Sequence, residues 1–167
     1  MVDPDFLYTV AQVGVTYAGF STLVTVVAYR SDMKAMPARI YYMLLLSIIV
    51  IASAFLPTIL SAYELGESIA WQASSGLFGA VWFAYWINAI VKLRTRFRVW
   101  GSLTLLNKVN TAVVHPGAII LLLTGTLGIW GKFTDAVYVT ALFIMLYMSA
   151  YLFLQIIVDL LDTEPGS

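Results

Sequence analysis

The sequence predicts an all-α integral membrane protein, a polytopic bundle of five transmembrane helices with its N-terminus outside and its C-terminus inside. Three observations predict it. Of 167 residues, 61% are hydrophobic and 11% charged, with a mean hydropathy of +0.89, whereas a soluble domain carries about 25% charged residues. Five stretches without a charged residue follow one another, 6–29, 40–63, 68–91, 109–131 and 136–158, each of 23 or 24 residues. At about 1.5 Å per residue, each is long enough to cross a hydrocarbon core of about 30 Å. Finally, the basic residues are segregated: Arg30, Lys34 and Arg39 lie in the first connection, and Lys92, Arg94, Arg96, Arg98 and Lys108 in the third. Those eight of nine Lys and Arg fall on one side of a five-helix zigzag, with only Lys132 opposite, and positive charge marks the inner side.

The first stretch is expected to be retained, because Asp3 and Asp5 stand where a secretory signal would be basic. Ala11, Gly14, Ala18, Thr22 and Thr25 fall on one stripe of it, a small and hydroxyl-bearing face suited to close helix packing or to lining a narrow wet path. The second stretch has Pro57 near its outer end, with Ser53, Thr58 and Ser61 close enough to bond the backbone that a proline frees. A short turn with Glu64, Gly66 and Glu67 makes helices two and three an antiparallel hairpin. Helix three carries a ladder of Gly76, Ala80, Ala84 and Asn88 at successive fours, the pattern of a small-residue packing face.

The connection 92–108 alternates basic and apolar residues. It is expected along the inner headgroups, where Lys92, Arg94, Arg96 and Arg98 contact anionic lipid. Helix four holds His115, Pro116 and Gly117 near its inner end and Gly125 and Gly128 further out. Helix five is plain apart from Tyr147, Tyr151 and Gln155. Tyr8, Tyr63, Trp71, Trp130 and Tyr138 gather at outer ends and Tyr29, Tyr41, Tyr42 and Trp100 at inner ones, the two belts that aromatic rings form at headgroup level. The whole chain, 1–167, reads as one membrane domain, expected in a bacterial inner (plasma) membrane.

The same composition excludes several functions. No cysteine is present and His115 is the single histidine, which rules out disulfides, thiolate metal sites and bis-histidine haem ligation. No metal or cofactor is expected. No nucleophile–base constellation or paired carboxylate lies at membrane depth, so the chain is not expected to be an enzyme. Its short basic run, tied to the membrane, does not read as a nucleic-acid site.

A single five-helix protomer is too small to pack its own core and also enclose a water path. The functional expectation is therefore an ion channel built as a symmetric homo-oligomer in membrane lipid, with inorganic ions as permeants. Ala11, Gly14, Ala18, Thr22 and Thr25 would line it, Glu64 and Glu67 would form an acidic outer vestibule, and His115 would be a pH gate. Selectivity stays open. The alternative is a non-conducting scaffold or accessory subunit whose small faces pack partner helices, or which senses anionic lipid. Each candidate has a plainer reading: the stripes as internal packing, the glutamates as a solvated turn, the basic run as a topology signal, and His115 as a neutral packed side chain.

Overall fold

A computed structural model describes residues 3–28, 36–96 and 104–162, and among them every element is helical. The order is α1 (Pro4–Ala28), α2 (Met36–Ser61), α3 (Glu67–Arg96), α4 (Leu105–Val109), a π-helical segment (Asn110–Val114), α5 (His115–Thr126), a 3-10 turn (Gly131–Phe133) and α6 (Thr134–Asp162). Among the described residues, four helical segments are long and apolar enough to cross a membrane: Arg39–Ser61, Glu67–Val91, Leu105–Thr126 and Gly131–Val158. Large apolar side chains such as Ile48, Leu77, Ile120 and Phe143 stand exposed on these segments. Water would not tolerate so much apolar surface, but lipid does.

Helix α1 is not among the four, although it runs for 25 residues. Its described part mixes Thr9, Gln12, Thr16, Ser21 and Thr22 into the apolar residues. Asp3 starts it, its Oδ1 accepting the Asp5 backbone N–H at 3.0 Å, with Pro4 in the first turn where no N–H is needed.

The fourth helix departs most from expectation. Thr104 caps α4 by accepting the Asn107 N–H on its side-chain oxygen, and α4, the π segment and α5 run on continuously to Thr126. Gly128, with a φ of 69°, then turns the chain, as a left-handed glycine does past a helix end. The helix therefore lies about four residues earlier than the uncharged stretch 109–131, because Lys108 is accommodated inside its first turns. His115 becomes the eleventh of 22 residues in the span Leu105–Thr126, midway along it and not near one end.

The chain packs as two compact units, Leu56–Ile144 and Asp3–Phe55 with the chain from Met145. In the first, Phe78 stacks near Trp82 and Tyr138, with ring centroids 5.4 and 5.5 Å away, and Trp71 meets Tyr138 edge-on. In the second, Ile40, Met43 and Ile156 form a core flanked by Val24, Leu152 and Phe153. There Ser47 and Ser149 approach to 3.2 Å between hydroxyls, a polar clasp between neighbouring helices.

Candidate functional site

Helix α1 presents two opposed faces. Leu7, Val10, Ala11, Gly14 and Ser21 are buried within their unit. A Cβ built on Gly14 would stand 2.9 Å from Ile51 Cγ1 and 3.4 Å from the Ser47 carbonyl oxygen, so the glycine lets α1 and α2 touch at backbone distance. Gly14 therefore faces α2, and Ala11 is buried on the same side of α1. Of the other residues expected on that stripe, Ala18 is half-buried and Thr22 exposed at the edge of this face. The backbone of Thr25 continues α1.

The opposite face is exposed and carries a polar seam of Asp5, Thr9, Gln12, Thr16 and Gly19, which ends on the exposed Leu23. Their spacing of four, three, four and three residues is that of a straight seam along a helix. Thr9 Oγ1 donates to the Asp5 carbonyl oxygen at 2.9 Å, and Thr16 Oγ1 to the Gln12 carbonyl oxygen at 3.0 Å. Each hydroxyl proton is thus taken by the helix, leaving oxygen lone pairs turned outward. The sequence held this signal, but the neighbouring Gly/Ala/Thr stripe was the more conspicuous of the two. Only burial tells which face is turned inward.

The second candidate region is the α3–α5 pair. It runs antiparallel, with Gly76 against Thr126, Gly79 against Leu122 and the Trp82 and Tyr85 rings against His115. Of the ladder on α3, Gly76 packs in this way, whereas Ala80 and Ala84 are exposed and Asn88 is half-buried. Steps of four residues advance about 400° on a helix of about 100° per residue, so the ladder drifts off the contact face. An open apolar groove of about 450 Å³ runs beside the contact, lined by Gly76, Gly79, Ala80, Phe83, Trp86 and residues of α5.

The π segment has an identifiable cause. The His115 backbone N–H donates to the Asn110 carbonyl oxygen, an i to i−5 bond. One residue further on, the same register would pair the Thr111 carbonyl with residue 116, a proline with no N–H. Trp86 Nε1 fills the gap, donating to the Thr111 carbonyl oxygen at 2.9 Å. Trp86→Phe should therefore cost about 1–3 kcal/mol by orphaning a carbonyl. Pro116→Ala restores a backbone donor, so the double variant should lose clearly less than the sum of the singles in a detergent unfolding cycle.

Near this bond four buried side-chain atoms have no hydrogen-bond partner: Trp82 Nε1, Asn110 Nδ2 and Oδ1, and His115 Nδ1. Trp82 is 0% exposed, Asn110 2% and His115 5%. Each unpaired group costs about 1–3 kcal/mol in such surroundings.

Glu64 and Glu67 are exposed at the α2–α3 turn, Glu64 holding a left-handed φ of 58° as α2 ends. Lys92, Arg94 and Arg96 continue the backbone of α3, so at least the first part of the basic connection is helical. Arg98 lies outside the described residues. No group of three or more potential metal ligands occurs among the described residues. No family model, curated protein or solved structure matches the chain.

Proposed function

We propose that the protein is an ion channel formed by a symmetric homo-oligomer, with α1 as the fifth membrane span and its exposed polar seam facing the axis. The carrying observation is the line of Asp5, Thr9, Gln12, Thr16 and Gly19, exposed along a helix of an otherwise membrane-buried chain. An uncovered glutamine facing lipid is costly. Identical seams from several protomers, closed around an axis, cover one another and enclose a polar path. The lone pairs of Thr9 and Thr16 and the carboxylate of Asp5 favour cations. The N-terminus lies outside, placing Asp5, Glu64, Glu67 and Asp135 at the outer surface and the basic run 92–108 inside. The reading keeps a bacterial inner (plasma) membrane as the location.

Because the chain has no cysteine, single-cysteine variants report on this directly. Gln12→Cys and Thr16→Cys should each be blocked by a membrane-impermeant thiol reagent, with Ala11→Cys insensitive. Block at Ala11→Cys with none at the other two would return the lining to the Ala11 stripe. A stoichiometric copurifying protein and no conductance would favour the scaffold reading.

A further inference from the structure

Two of the unpaired groups, Trp82 and His115, lie at a similar height along their spans. Trp82 is nine residues from Val91 at the end of one span, and His115 ten from Leu105 at the start of the next, so both are about 14–15 Å from that end, half of a hydrocarbon core of about 30 Å. Their rings are in contact, edge to face, with centroids 6.1 Å apart, and Tyr85 approaches His115 at 5.8 Å. Asn110 is one π turn before His115 and is joined to it by the backbone bond of the π segment.

The three side chains make a balanced set. Indole Nε1 only donates, the amide donates and accepts, and a neutral imidazole Nδ1 does one or the other. Both ends of the Asn110 amide are unpaired, so turning the amide over satisfies nothing. Two unpaired rings in contact near mid-span, with an unpaired amide one π turn away on the same helix, need a guest. Within residues 68–91 and 109–126 there is no Asp, Glu, Lys or Arg, so a charged guest would meet no counter-charge there. The lining calls for a small neutral molecule that both gives and accepts hydrogen bonds.

We propose that Trp82, Asn110 and His115 form a mid-membrane binding site for such a molecule, either water or a small neutral amide. The proposal is independent of the α1 channel, since every residue in it belongs to the unit Leu56–Ile144. Water is the simplest occupant, because buried waters typically make about three bonds to otherwise unsatisfied groups. A site that exchanges its occupant would give the protein a polar foothold for a neutral solute midway through the bilayer.

The test is a spectrum of ¹⁵N-indole-labelled protein in lipid nanodiscs, with the Trp82 resonance assigned by its loss in Trp82→Phe. The expected result is a cross-peak from the Trp82 Nε1 proton to water, and full exchange in deuterium oxide within hours. Titration with formamide separates the two occupants. A saturable shift at Trp82, absent at the other indoles, identifies a small-amide site, and no shift identifies water alone. A Trp82 proton with no water contact, no exchange and no response to formamide overturns the proposal. So does a through-bond coupling from Trp82 Nε1 to His115 Nδ1, which would mean that the groups satisfy each other. Both readouts use the unaltered site, so they hold whether or not Asn110→Leu or His115→Leu folds.

Discussion

Gly14→Leu should destabilise the protein by about 3 kcal/mol, the upper part of the range for forcing volume into a packed interior. The contact leaves no room: even a methyl at Gly14 would meet Ile51 Cγ1 at 2.9 Å and Val50 Cγ1 at 3.5 Å. The Ser47 carbonyl behind them is backbone and cannot swing aside. Gly14→Ala is the graded version, with an expected cost of about 1 kcal/mol. Ile51→Ala removes the nearest atom, so the pair Gly14→Ala with Ile51→Ala should be less destabilised than the two effects added. Thermal unfolding in detergent measures all three. Gly19 is the control, because nothing lies within 4 Å of a Cβ built there. Gly19→Ala should leave the unfolding temperature unchanged or slightly raised, since alanine favours the helix.

Gln12→Leu together with Thr16→Val should lower ion flux at least about tenfold and leave stability nearly unchanged. Both side chains are exposed, and the Thr16 hydroxyl bonds only a carbonyl of its own helix, in a bond that valine simply omits. Little folding energy therefore rests on either. A permeating cation would lose two rings of oxygen ligands, and an apolar constriction resists wetting. If flux is unaffected while the variant assembles normally, the polar seam of α1 is not the path. The contrast with Gly14 is informative: one face of α1 should govern folding and the other transport.

Much of the fold was legible in the sequence, because lipid restricts a spanning backbone to helices and the uncharged stretches then mark them. The four apolar spans fall where those stretches predicted, with boundaries displaced by a few residues. The larger displacement, in the fourth helix, came from treating Lys108 as a limit. A lysine in the first turns of a helix can extend its charge toward the headgroups, so it need not end the apolar segment. The π segment was not legible. Pro116 announces a missing donor, but that Trp86 would supply the bond from another helix depends on tertiary packing.

Which face of α1 is turned inward was not legible in the sequence. On α1, Gly14 lies against α2 and Ala11 is buried, while Thr9, Gln12 and Thr16 are exposed. Both stripes are regular, and sequence periodicity alone does not say which one a neighbouring helix covers. His115 stands near the inner end of the uncharged stretch 109–131 but midway along the helical span. Its unpaired companions Trp82 and Asn110 are not legible in the sequence, because a tryptophan in an apolar helix and an asparagine near a helix start are each unexceptional alone.

The most direct test of the central claim is flux from liposomes reconstituted with the purified chain, under separate potassium, sodium and chloride gradients. The account predicts protein-dependent cation flux, with chloride well behind and the flux abolished by thiol block of Thr16→Cys. Sealed liposomes that contain correctly assembled protein yet pass none of these ions would contradict it.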